Sequence, residues 1–143
     1  MNTATAAPPD LPHTCEVALR PNDFDWAGHL NNSVYVQLLE TGRWEWGLAH
    51  GVDLRDSSLV AVVLQLRLDY LQAVDWNPVG RLLVRTSLAE RSAYSFTLAQ
   101  DIEHPDGTAA ARGKVRLALV DRHTKRIHRA DLDAMLAVPG RTA

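Results

Sequence analysis

The 143-residue chain has a single cysteine, Cys15, which excludes an intrachain disulfide and any metal site built on cysteine pairs. A reducing, cytoplasmic setting is the compartment this expects. A basic surplus is also missing: 15 Lys and Arg stand against 17 Asp and Glu, for a net charge of −2. That balance argues against nucleic acid as a partner and points to small molecules or proteins. No apolar run approaches the roughly 20 residues of a membrane span, so a soluble chain with no membrane partner is expected. A glycine-rich phosphate loop, a His/Glu metal spacing and a serine nucleophile elbow are absent as well, so neither a metal nor a cofactor is expected.

What is present fits one domain. Met1 to Pro12 is Ala, Pro and Thr without a basic start or apolar run, and reads as a disordered leader. The expected division is a leader over 1–13, a single domain over 14–138 and a flexible tail over 139–143. Cys15 to Arg20 alternates as a first short strand, broken by Pro21-Asn22-Asp23. From about Ser33 to His50, Tyr35, Leu38, Leu39, Gly42, Trp46 and Ala49 recur at spacings of three and four, with Asn31 or Asn32 as N-cap and Gly51 as stop. Gly42 within that stripe lowers helix propensity by roughly 1 kcal/mol, which is explained if the helix backbone lies close on a sheet.

Four further strands follow. Val60 to Tyr70 alternates with Gln65, Arg67 and Asp69 as a long, half-buried strand, and Asp56, Ser57 and Ser58 sit in the loop before it. Leu82 to Leu88, Tyr94 to Gln100 and Gly113 to Leu119 are the others, with Pro105-Asp106-Gly107 as the turn before the last. Asp131 to Ala137 reads as a short closing helix. Strand, helix, then strands in meander-like hairpins define an α+β chain with an antiparallel sheet around one helix.

The polar residues concentrate in Asp23-Phe24-Asp25-Trp26-Ala27-Gly28-His29-Leu30-Asn31-Asn32-Ser33-Val34-Tyr35, directly ahead of that helix. A helix start offers unpaired N–H groups and a positive dipole end, so a carboxylate placed there can work beside a ready oxyanion donor. The string D-x-D-x-x-G-H-x-N-N-x-x-Y, with the helix ending in Arg43-Trp44-Glu45-Trp46, resembles the hotdog-fold acyl-CoA thioesterases of the 4-hydroxybenzoyl-CoA thioesterase type over Thr14 to about Arg129. The resemblance implies a five-stranded antiparallel sheet wrapped around one long central helix. It also implies a homodimer or homotetramer with the active site between subunits, and an acyl-CoA or acyl-carrier-protein thioester as substrate.

By this resemblance Asp25 matches the catalytic aspartate, acting as nucleophile or as general base on water. The N–H groups of Asn32 and Ser33 would polarise the thioester carbonyl. Asp23 reads as a turn residue that orients the loop. His29 occupies the place of a histidine in plant acyl-carrier-protein thioesterases, whose asparagine two residues earlier is Ala27 here, and it serves either catalysis or the loop. Asn31 and Asn32 are caps or substrate ligands. Gly28 would let substrate approach the backbone, and Trp26 is a pocket candidate. Glu40 either pairs with Arg43 at i, i+3 or supplies a rival active-site carboxylate. Trp44 and Trp46 read as core or interface. Arg112, Lys114, Arg116, Arg122, Lys125, Arg126 and Arg129 cluster late in the chain and read mostly as a solvated strand face, of which a few could hold the phosphates of coenzyme A or face an acidic carrier protein. A hotdog hydratase or dehydratase using Asp25 and His29, and a non-catalytic acyl-CoA-binding hotdog protein, are the alternative functions.

Overall fold

The computed structural model describes residues 10–55, 57–77 and 80–132. Strand β1 (Asp10–Ala18) leads through a 3-10 turn (Pro21–Asp23) to helix α1 (Asn32–Ala49). Strands β2 (Leu59–Tyr70), β3 (Arg81–Arg91), β4 (Phe96–Glu103), β5 (Ala109–Asp121) and β6 (Ile127–His128) follow. They form one antiparallel sheet in the order β1-β3-β4-β5-β2, with the short β6 paired to the end of β5. The sheet therefore has six strands, not five, because two residues after the Asp121–Arg126 turn are too short to register as a period.

Helix α1 starts and stops where its sequence dictates. Asn31 caps it, its side-chain oxygen accepting the Ser33 N–H, and Gly51 follows its C-terminus at a φ of +87°. Val34, Tyr35, Leu38, Leu39, Gly42 and Trp46 are buried, whereas Ala49 is exposed as the helix runs out past the sheet. Gly42 lies where expected: a Cβ there would stand 2.5 Å from Val84 Cγ1. Leu39, Leu82, Leu98, Ile102 and Leu119 close the core between helix and sheet.

Three further expectations change. Strand β1 begins at Asp10, within the segment assigned to the leader, because Leu11 packs on the core and its carbonyl accepts the Trp46 indole N–H at 2.7 Å. Tyr94 is exposed and precedes β4. Strand β2 does not pair with β3 in a meander; it crosses to the far edge beside β5. There it is more exposed than half-buried, with Val62, Val63, Leu64 and Leu66 between 38% and 45% accessible. Alternating apolar and charged residues read alike in a central strand and in an edge strand. Residues 1–9, Asp56, positions 78–79 and positions 133–143, the last including most of the expected closing helix and the tail, lie outside the described residues.

The turn at Pro105-Asp106-Gly107 forms as read, with Gly107 at a φ of +92° and the Asp106 carboxylate accepting the Thr108 N–H at 2.8 Å. Arg112, Lys114 and Arg116 are exposed and alternate with buried Ala111, Val115 and Leu117.

Candidate active site

The loop between the 3-10 turn and α1 is built from its own backbone. Asp23 is buried, and its carboxylate accepts the Arg20 N–H at 2.7 Å and the Arg20 guanidinium at 3.0 Å. Burial opposes its ionisation, but the two Arg20 hydrogen bonds and the Arg20 charge outweigh that and hold it below the ordinary carboxylate value. The Asp23 carbonyl accepts the Asn31 N–H at 2.8 Å, so the turn residue fixes where the helix begins.

Between these anchors the chain folds back on itself, with Phe24 and Leu30 bridged antiparallel. Asp25 donates its N–H to the His29 carbonyl at 2.8 Å. Its Oδ1 accepts the Ala27 N–H at 2.9 Å and the His29 N–H at 3.1 Å. Among the described residues nothing donates to Oδ2, and Asp25 is exposed. Gly28 holds a φ of +86° and faces open space, a conformation that side-chain-bearing residues rarely adopt.

The segment after β2, which the sequence reading left out, supports the loop from below. Gly28 O accepts the Trp76 N–H at 2.9 Å, and Val74 O accepts the Leu30 N–H at 2.8 Å. Phe24 meets Trp76 edge to face at 5.1 Å. His29 Nε2 lies 3.6 Å from Asp75 Oδ1, both side chains being largely solvated. Trp26, expected in a pocket, points fully into solvent in the single chain. Asp75 and Trp76 lie five and six residues beyond the end of β2 and belong to no period, so no local signal in the sequence marks them.

At the helix start the expected pair of donors divides. The Ser33 N–H and hydroxyl both go to Asn31 Oδ1 at 3.1 Å, so Ser33 is committed to the cap. The Asn32 N–H has no acceptor among the described residues and is open toward solvent. The Asn32 carbonyl accepts the Tyr70 hydroxyl at 3.0 Å, and Tyr70 packs edge to face on Tyr35 at 4.9 Å. Tyr70 thus ties the end of β2 to the beginning of α1.

Of the residues singled out as substrate-binding, Glu40 lies apart. Nine helical positions separate it from Asn31, about 13 Å along the axis. It lines a cavity of about 520 Å³ between the second half of α1 and strands β2, β4 and β5. Arg43, Trp44 and Trp46 line the same space, so both tryptophans are cavity walls, Trp46 being buried in the core as well and Trp44 exposed. The expected i, i+3 ion pair from Glu40 to Arg43 does not form. Arg43 turns into the protein and donates to Gln100 Oε1 at 3.1 Å.

An antiparallel sheet packed on one long helix, with a carboxylate loop at the helix start, defines the hotdog class of fold. The Thioesterase-like superfamily matches residues 19–138, and the chain belongs to it. No curated protein matches the chain in sequence. Among solved structures it is similar to the PA2801 protein from Pseudomonas aeruginosa, at 26% identity over 85% of this chain and 94% of that one, TM-score 0.77. It is similar in fold to a DHNA-CoA thioesterase from Staphylococcus aureus, at 18% identity, 85% and 82% coverage and TM-score 0.77. A third is the SAV2348 protein of Staphylococcus aureus, solved in complex with CoA, at 16% identity, 87% and 80% coverage and TM-score 0.74. The superfamily and the fold agree with the resemblance; the 4-hydroxybenzoyl-CoA type within it is a finer assignment.

Proposed function

We propose that the protein hydrolyses an acyl-CoA thioester with Asp25 as its catalytic carboxylate. The observation that carries this reading is the state of Asp25: one carboxylate oxygen braces the loop that leads into α1, while the other has no donor among the described residues. A thiol leaving group has a pKa of about 8.5, so its expulsion needs little acid assistance. In the nucleophilic route Oδ2 attacks the thioester carbon, the thiolate leaves, and water cleaves the resulting anhydride to release the acid and restore Asp25. In the general-base route Asp25 takes a proton from the water that attacks directly. Either way the Asn32 N–H, which has no acceptor among the described residues, is the proposed donor to the carbonyl oxygen, and oxyanion donors of this kind contribute roughly 3–4 kcal/mol. His29, bonded through its backbone to Asp25 and near Asp75, serves the loop rather than proton transfer.

The reading includes a homodimer through β2. That strand ends the described sheet, is 12 residues long and carries apolar side chains in water. Its Tyr70 end lies at the helix start, whereas Val60, Ala61 and Val63 at its other end line the cavity. Antiparallel pairing of two β2 edges about a two-fold axis would set the Asp25 loop of one copy by the cavity of the other. It would also give Trp26 a surface to cover.

Release of free thiol from aryl, short-, medium- and long-chain acyl-CoAs, and from matching carrier-protein thioesters, tests the reading. Wild type should turn over at least one ester and Asp25→Asn should not. Full turnover by Asp25→Asn would overturn the role of Asp25, and binding of acyl-CoA without turnover by wild type would make the protein an acyl-CoA-binding member.

A further inference from the structure

Resting on that reading, we propose that the cavity takes an acyl chain ending in a carboxylate, and that Arg43 reads this end group. Three arginines and one glutamate are the charged residues lining the cavity, so its field favours an anion in an otherwise apolar space. Arg55 is already paired with Asp53 at 2.6 Å, and Arg122 donates to the carbonyls of Leu54 and Ser57. Arg43 differs from both. Among the described residues its hydrogen-bond partner is Gln100, and no carboxylate lies within ion-pair distance.

The Gln100 contact is fixed from behind. Gln100 is wholly buried, and its Nε2 donates to the Leu39 carbonyl at 3.0 Å and to Thr86 Oγ1 at 2.9 Å. A backbone carbonyl can only accept, so the amide nitrogen must face Leu39 and the amide oxygen must face Arg43. The guanidinium is thereby held by one N–H against the core, at the cavity wall, with four of its five N–H donors left over by general inventory. Removal from water lowers the Arg43 pKa, against the opposing influence of Glu40, in keeping with a cation short of solvent. A planar fork in an apolar wall is complementary to a carboxylate, which it can take through two parallel bonds. A straight alkyl chain would leave those donors unpaired.

The test compares kcat/KM for glutaryl-CoA and valeryl-CoA, esters of five-carbon acyl chains that differ in the terminal carboxylate. Wild type should prefer glutaryl-CoA by about tenfold to a hundredfold, the range of a charge-assisted hydrogen bond. Arg43→Gln, which removes the charge yet keeps an N–H for Gln100, should bring the ratio near unity with the melting temperature little changed. Should that variant fail to fold, the wild-type ratio decides alone. Hydrolysis of both esters with no preference, or a preference for valeryl-CoA, would overturn the role of Arg43 and leave the thioesterase reading standing. A ratio that Arg43→Gln does not move would do the same. No hydrolysis of any ester in the wider panel would overturn the proposal by removing the reading beneath it.

Discussion

Asp25 and His29 are bonded to each other twice: the Asp25 N–H donates to the His29 carbonyl at 2.8 Å, and the His29 N–H returns to Asp25 Oδ1 at 3.1 Å. The carboxylate proposed for catalysis therefore also shapes the loop that presents it, with Oδ1 in the structural role and Oδ2 in the chemical one. The two roles can be separated. Asp25→Asn keeps an oxygen to accept the Ala27 and His29 N–H groups and should stay within about 0.5 kcal/mol of wild type in stability. Its turnover should fall by about a thousandfold or more. Asp25→Ala removes both roles and should lose about 1 kcal/mol as well. Urea titration beside thiol-release kinetics on the three proteins checks both arms.

Gly42 yields a prediction whose sign depends on packing. Ala for Gly in a helix interior gains about 1 kcal/mol of propensity. Here the new Cβ would stand 2.5 Å from Val84 Cγ1, 3.0 Å from Gln100 Nε2 and 3.2 Å from Thr86 Oγ1. All three side chains are buried and cannot swing away. Overpacking of this kind costs typically about 1–3 kcal/mol. Gly42→Ala should thus be destabilised, by urea midpoint, and should disturb the Gln100 bonds that orient Arg43.

Local pattern carried much of this into view. The spacing of Tyr35, Leu38, Leu39 and Trp46 and the capping Asn31 belong to one helix, so the sequence displays them together. The Asp25 loop is legible for the same reason, since its bonds span at most four residues. Local spacing offers Arg43 only Glu40, three residues away, as one of two readings of that carboxylate; the bond of Arg43 to Gln100 spans 57 residues, and no local spacing encodes it. Trp76 was missed likewise, as it meets Phe24 only once β2 has been laid down. Strand β2 was assigned correctly as a strand but given the wrong neighbours, because period two records which residues alternate and not what covers them.

If β2 is the seam between two copies, charge placed on it should separate them. Val62 and Leu66 are exposed on β2 and are not among the residues lining the cavity. Val62→Lys with Leu66→Lys would bring like charges together across the two-fold axis. The expected result is a monomer by light scattering, folded by circular dichroism, with kcat/KM reduced about tenfold or more because the Asp25 loop has lost the partner's cavity. An unchanged dimer would place the interface elsewhere.

Acid stability should depend on Arg20. The Asp23 carboxyl is held below its ordinary value of 3.8 in the fold, so it contributes stability that is fully present above that value and lost as pH falls through the lower folded one. The group is buried, and burial alone acts in the opposite direction. Arg20→Gln removes the charge and the guanidinium bond while keeping the Arg20 backbone N–H bond to the carboxylate. With less to set against burial, Asp23 should take up its proton at a higher pH, and the acid-unfolding midpoint should move up in pH. Because the Asp23 carbonyl fixes the first turn of α1 through Asn31, the loop should loosen with it. Activity measured across the same pH range should then fall earlier in the variant than in wild type. A midpoint that does not move would mean that the backbone N–H alone holds Asp23 ionised, and that Arg20, an exposed side chain, adds nothing to the turn.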